Sequence, residues 1–384
     1  MPNIADIVEV AELLGDRPVV PMADRCVVVR NRNASCTKCK DACLADAIEI
    51  HNNALSIDAA ACVGCAACTV VCPTEAIVPV DPSDAELDEF AAAALSEAGE
   101  GRAVIACARI ASKGIGDPHK FAEVSCLARV DESVLLSLAA IGAEDIALVD
   151  GCCSTCKYRA TSAGVDATVE SANNLLESCS SGVRVRRASE FPADLALEDA
   201  RSLLGEARRG FFTSASSWTA GAAGKTADLV LRKKLGAKQA KTLRERLNAA
   251  GGTLPQLDEH RRAQVLDAMD RLGAPSGVAL ETRLFGNVSI DISKCNACGM
   301  CAVFCPTGAL KKSAIKVQPN ADGTTDGGSF LEFQAADCSQ CGLCVDACMK
   351  KCIVVGDEVE ADELFDFDPR FIYLPKPSRR PGLL

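Results

Sequence analysis

The sequence predicts α+β modules at both ends of the chain, flanking a small α/β domain with a parallel sheet and a helical segment. Three observations carry this reading. First, a cysteine run of the form Cys-x2-Cys-x2-Cys-x3-Cys recurs: Cys62, Cys65, Cys68 and Cys72 near the N-terminus, then Cys295, Cys298, Cys301 and Cys305, then Cys338, Cys341, Cys344 and Cys348. Second, the segments between runs alternate apolar and polar residues, the period of short strands. Third, the middle of the chain changes to short apolar strands separated by residues at helical spacing, which implies a parallel sheet.

Taken in order, residues 1–82 read as the first module. A stretched copy of the run, Cys36, Cys39 and Cys43 with Cys26 displaced upstream, precedes the complete one. Between them AIEIHNNALSID alternates on both sides of Asn52-Asn53 and reads as a β-hairpin. Ile77, Val78 and Val80 make a further strand. Ser83 opens a linker helix over residues 83–99, with Glu86 completing a capping box and Gly99 ending it. Leu87, Phe90, Ala91 and Ala94 form its apolar face.

Residues 100–194 are the α/β domain. Val104-Ile105, Val124 and Ile146-Leu148-Val149 are strands, the first two ending at cysteines and the third at Gly151-Cys152. Val134, Leu135, Leu138 and Ile141 fall on one helix; Val165, Val169, Ala172, Leu176 and Cys179 fall on another. Residues 195–280 are a helical, basic segment, clearest at Leu229–Leu247. Residues 281–365 return to the first pattern, with a Gly/Asp-rich excursion at Asn320–Gly328 expected to be a hairpin tip. Residues 366–384, ending FIYLPKPSRRPGLL, are expected to be an extended tail draped on a partner.

Composition removes several function classes. The net charge of −11 argues against nucleic-acid binding, and one Trp with two Tyr leaves little surface for stacking bases. No apolar run approaches the ~18 residues of a membrane span. The N-terminus carries acids and lacks a basic region, so no signal peptide is expected. Twenty-three cysteines in that setting point to a reducing, cytoplasmic interior and metal–sulfur chemistry. His51, His119 and His260 are the three histidines, and none lies in a cysteine run. That disfavours mixed Cys/His ligation.

The recurring run is the one that wraps [4Fe–4S] cubanes in bacterial ferredoxins. Three thiolates two residues apart curl round one face of a cube, and the fourth lies too far along the chain to reach it. Both ends of the sequence therefore resemble two-cluster, ferredoxin-like domains. In that family the fourth cysteine of each run serves the neighbouring cube. The resemblance implies one cluster on Cys26, Cys36, Cys39 and Cys72 and a second on Cys62, Cys65, Cys68 and Cys43. A third falls to Cys295, Cys298, Cys301 and Cys348, and a fourth to Cys338, Cys341, Cys344 and Cys305. Structural zinc is the competing reading, but it pairs two Cys-x2-Cys knuckles across a longer loop. Cys26, before an apolar Val27-Val28-Val29 run, is either a ligand or a buried thiol. Cys352 holds the position that Ala47, Ala76 and Ala309 hold after the other runs, and reads as core, as does Cys179.

In the middle domain Cys107, Cys126, Cys152, Cys153 and Cys156 lie at or just after strand ends, converging on one sheet edge where a fifth cluster could sit. Adjacent Cys152 and Cys153 point apart in an extended chain, so one of them belongs to the site, taken as Cys152 beside Cys107, Cys126 and Cys156. Residues Cys126 with Arg129-Val130, Gly142-Ala143, Gly151-Cys152 and Cys156-Lys157-Tyr158 resemble the iron–sulfur delta subunit of methyl-viologen-reducing hydrogenases, over about 60 residues. That resemblance implies a [2Fe–2S] cluster at these cysteines and electron transfer to heterodisulfide-reductase-type flavoproteins.

GAAGKT at Gly221–Thr226 lacks the first glycine of a phosphate loop, where Thr219 stands. Arg232–Arg246 is a basic face for an acidic partner or for solvent. No nucleophile–base arrangement or dinucleotide fingerprint appears. The expected function is a non-catalytic electron-transfer subunit of an anaerobic oxidoreductase. Its partners would be redox subunits: a flavoprotein, or a hydrogenase- or formate-dehydrogenase-like metalloenzyme. The alternative is a thiol/disulfide reductase working at Cys152, Cys153 and Cys156.

Overall fold

The computed structural model describes residues 18–197, 260–315 and 327–375. The helix expected at Leu229–Leu247, the Gly221–Thr226 stretch, the basic run Arg232–Arg246, and most of the Asn320–Gly328 excursion lie outside these residues.

The N-terminal module runs β1 (Val19–Pro21), α1 (Val27–Arg30), α2 (Lys38–Asp41), β2 (Ile48–His51), β3 (Ala54–Ile57), α3 (Ala67–Val70) and β4 (Ile77–Pro79). β2 and β3 pair antiparallel with Ile48 opposite Ile57. The two-residue turn needs positive φ at both centres, and Asn52 and Asn53 supply 50° and 58°. β1 pairs antiparallel with β4, bringing the two ends of the module together.

Next comes α4 (Asp84–Ala98), with the expected capping box: Ser83 Oγ accepts from Glu86 N–H, and the Glu86 carboxylate accepts from Ser83 N–H. Leu87, Ala91, Ala94 and Leu95 are its buried residues, whereas Phe90 is 39% exposed. The buried stripe follows steps of four and three from Leu87, which leaves Phe90 on its edge. α4 packs on the next strand, so the segment read as a linker is a layer of the middle domain.

That domain contains β5 (Arg102–Cys107), α5 (Ala108–Ala111), β6 (Ala122–Val124), α6 (Glu132–Ala140), β7 (Asp145–Val149), α7 (Ser162–Ser178) and β8 (Arg184–Ala188). The sheet order is β6-β5-β7-β8 and every pairing is parallel. β5 and β7 are continuous apolar runs because helices cover both faces. β8 has no counterpart in the sequence reading. Its RVRRA sequence hides the strand because the arginines face water or pair with Asp145 and Asp150. Ile141, placed on this helix by its spacing, caps α6 and is 50% exposed.

α8 (His260–Gly273) leads into β9 (Ala279–Glu281), β10 (Asn287–Ile290), α9 (Met300–Phe304), β11 (Leu310–Lys312), β12 (Ser329–Phe333), α10 (Leu343–Ala347), β13 (Ile353–Gly356), β14 (Glu358–Glu360), α11 (Ala361–Phe365) and β15 (Arg370–Leu374). β10 pairs antiparallel with β13 as β1 does with β4, and β11 with β12 as β2 does with β3. The terminal modules thus share a plan. β15 departs from the expected partner-bound tail: it pairs antiparallel with β12, Ser329 opposite Leu374, as a third strand of the chain's own sheet. An alternating Arg370–Leu374 completes an otherwise open edge. β14 pairs with β9. Among the described residues no helix is long and apolar enough to cross a membrane.

Two sets of contacts show how the parts are joined. Arg261 on α8 donates to Asp84 Oδ1 at 2.9 Å, to Thr69 O at 2.7 Å and from its backbone to Glu75 at 3.0 Å, and pairs with Asp131 at 3.1 Å. One buried guanidinium therefore ties the N-terminal module, α4 and the start of α6. At the other junction Val27, Phe304, Leu343 and Ala347 bury together, and Ser35 donates twice to Asp346 Oδ2, at 2.7 and 2.9 Å.

Candidate iron–sulfur sites

The complete runs impose a repeated backbone shape. The residues just before and just after the second cysteine take positive φ: Gly64 and Ala66, Ala297 and Gly299, Gln340 and Gly342. Left-handed residues on both sides of a cysteine curl the chain and turn backbone N–H groups inward, a concavity that favours anionic sulfur. Three residues past the last cysteine a further left-handed residue (Asp46, Glu75, Gly308 or Lys351) turns the chain back beneath it. Ala76 N–H reaches Cys72 Sγ at 3.2 Å and Leu310 N–H reaches Cys305 Sγ at 3.5 Å. The stretched copy lacks the paired left-handed residues and instead winds Lys38–Asp41 into α2 around Cys39.

These turns gather the cysteines into groups. Cys43, Cys62, Cys65 and Cys68 line one apolar void. Cys305, Cys338, Cys341 and Cys344 line a second. Cys295, Cys298, Cys301 and Cys348 line a third space of about 710 Å³, open to solvent, together with Cys352. In the fourth group Cys39 lies within electrostatic reach of Cys26, Cys36 and Cys72. Cys26 faces this group, and its thiol pKa is raised by burial, with Cys72 and Cys36 adding to it.

The donor chemistry fits a cluster. Burial first, then neighbouring cysteines, pushes the Cys39 and Cys301 thiols up to about 12. Burial and Cys305 push Cys341 up to about 12 as well. So many adjacent anions form only when positive charge sits among them, as the irons of a bound cluster would supply. Among the described residues no three His, Cys, Asp or Glu side chains converge tightly enough for a single ion. Four sulfurs spaced round a void suit a larger, multi-iron object.

Neighbouring groups come close to one another. Cys39 is among the cysteines within electrostatic reach of Cys68, which brings the two N-terminal groups together. Cys36 and Cys341 pack against the same Val27, Phe304 and Leu343 contact, joining the modules. Cys301 lies within electrostatic reach of Cys344, which brings the two C-terminal groups together.

In the middle domain the carboxyl edge of the sheet gathers Cys107, Cys126 and Cys153. The Cys107 pKa is raised by burial, with Cys126 adding to it. Cys153 is pushed up to about 12 by burial and then Asp150, with Cys126 contributing. Cys126 also faces Cys65 of the N-terminal module. Cys152 departs from the expected arrangement. Its φ of 100° opens a 3-10 turn at Cys153–Thr155, and its side chain is exposed. Strict alternation through an extended chain does not apply at such a turn, so Cys153 takes the inward place. Cys156 follows that turn, partly buried, and accepts from Tyr158 N–H at 3.4 Å. Ser154 and then Thr155 hydrogen bonds lower the Cys152 thiol pKa. Cys179 packs at the end of α7, as expected of a core thiol. Cys352 is buried, but its Sγ lies 3.5 Å from Cys348 Sγ, a placement its apolar reading did not anticipate.

Comparison with known families agrees with the terminal modules. A model of the 4Fe-4S dicluster domain matches residues 294–352, and a model of the 4Fe-4S binding domain matches residues 55–78. The chain therefore carries 4Fe–4S ferredoxin-type domains at both ends. No curated protein and no solved structure matches it.

Proposed function

We propose that the chain is an electron-transfer subunit holding four [4Fe–4S] clusters and a fifth centre in the middle domain. The carrying observation is the unbroken series of cysteine groups. Cluster one would take Cys26, Cys36, Cys39 and Cys72; cluster two Cys43, Cys62, Cys65 and Cys68. Cluster three would take Cys295, Cys298, Cys301 and Cys348; cluster four Cys305, Cys338, Cys341 and Cys344. When bound, such clusters supply one-electron carriers whose potentials follow burial and hydrogen bonding at sulfur. The chain's part is to hold them in the order middle site, two, one, four, three.

At the middle site Cys107, Cys126, Cys153 and Cys156 are the proposed ligands, and the likeness to the hydrogenase delta subunit supports a [2Fe–2S] centre. Cys126, facing Cys65, supports passage to cluster two. Partners are proposed to be redox proteins, including a flavoprotein or a metalloenzyme of an oxidoreductase complex. Protein purified without air is expected to contain about eighteen irons per chain, and dithionite is expected to produce paramagnetic signals with spin coupling between neighbouring centres. Zinc in place of iron, or about four irons alone, would end this reading. A second reading, thiol/disulfide exchange, is favoured by the exposed, acidified Cys152 thiol. Unchanged disulfide turnover in Cys152→Ser would eliminate it.

A further inference from the structure

The turn after each cysteine run brings one residue back beneath the last thiol. Ala47, Ala76 and Ala309 occupy that place in three runs, each nearly inaccessible to solvent. A methyl group therefore satisfies the packing. In the fourth run the same place holds Cys352, equally buried, with its Sγ 3.5 Å from Cys348 Sγ. Lys351, at a φ of 49°, makes the turn, and Lys351 N–H donates to Cys348 O at 3.1 Å. Asp291 N–H, just past β10, holds Cys352 O at 2.8 Å, so the backbone that carries the thiol is anchored independently of Cys348. Cys352 also lines the same space as Cys295, Cys298, Cys301 and Cys348. That space is the solvent-open one, where Cys298 is exposed.

Resting on the cluster assignment above, we infer that Cys352 is a second, interchangeable ligand of cluster three, able to replace Cys348 on the same iron. The exchange is a ligand substitution: the Cys348 sulfur–iron bond breaks, the Cys352 sulfur–iron bond forms, and the proton leaving Cys352 passes to Cys348. No electron is gained or lost. The cluster nearest solvent is the one for which a reserve thiol limits loss of iron.

The test compares variants of the full chain purified without air, read by iron and sulfide content and by electron paramagnetic resonance. Cys348→Ala is expected to retain the wild-type iron content, with altered resonance from one cluster alone. Cys352→Ala is expected to retain it as well. The double variant, and Cys298→Ala as the control at another ligand of the same cluster, are expected to lose the iron of one cluster. Cys348→Ser guards against a folding failure of the alanine variant and has the same expected outcome. The inference is overturned if Cys348→Ala or Cys348→Ser loses as much iron as Cys298→Ala, or yields a three-iron signal. It is overturned equally if the double variant keeps the cluster. A wild-type chain without iron would instead overturn the cluster assignment itself.

Discussion

Gly286 touches the proposed cluster-four site without contributing a ligand. Its N–H donates to Cys338 O at 3.0 Å, and a Cβ built there would lie 3.0 Å from Cys338 Sγ, 2.7 Å from Gln340 Cγ and 2.9 Å from Val355 Cγ1. Gln340 cannot swing away freely, since its amide donates to Thr282 O and Phe285 O. Gly286→Ala should therefore displace the Cys338 thiolate and disturb the proposed cluster four alone. Iron content is expected to fall by about a quarter, or one resonance to shift, with the other clusters unchanged; uniform change across all clusters would contradict the assignment. No local sequence signal marked Gly286, because its constraint comes from residues more than fifty positions away. The cysteine spacing, by contrast, is legible because the turns that gather each run are made by residues within it. Cys152 and Cys153 show where that legibility stops: the choice between them depends on a left-handed residue that alternation does not foresee.

Among the elements, α8 carries the most at stake. Arg261 is buried against Asp84 and Asp131, and Arg129 joins the same node at 2.5 Å from Asp84. Burial alone would raise the Asp84 pKa, but Arg261 and Arg129 outweigh it and leave it lowered. Removing one member of such a network strands buried charge, at a cost of about 3–5 kcal/mol. Arg261→Met is expected to unfold at clearly lower urea than the parent. Arg184→Met, which breaks an exposed pair with Glu177, should cost about 0–1 kcal/mol. Equal midpoints for Arg261→Met and Arg184→Met would show that the node does not join the modules. Ser83→Ala at the α4 cap is expected to fall between them, at about 1 kcal/mol. The α4 cap and the Asn52-Asn53 turn could be read from sequence because both are local hydrogen-bonding patterns. The Arg261 node could not, since its partners are up to 192 positions distant. β8 was hidden for a related reason: its arginines make sense only beside the carboxylates they meet.

Across the whole molecule, the series of sites ends at cluster three, the proposed terminus nearest solvent. Its rim is basic although the chain carries a net charge of −11. Arg32 and Lys350 line the opening, and Met349 beside Lys350 is 92% exposed. An exposed apolar contact on a rim that also carries Arg32 and Lys350 fits a redox protein that is acidic around its own centre, because complementary charge raises encounter rates. Reduced protein mixed with an acidic flavodoxin should transfer electrons at a second-order rate that falls about tenfold or more from low to physiological ionic strength. Replacing Arg32 and Lys350 by Glu should lower the low-salt rate comparably, while transfer to a small zwitterionic viologen stays the same. The viologen arm matters because it separates encounter from chemistry. A fall with both acceptors would mean the substitutions damaged cluster three, and a salt-independent rate with flavodoxin would place the docking face elsewhere, leaving the Cys126 end as the alternative terminus of the series.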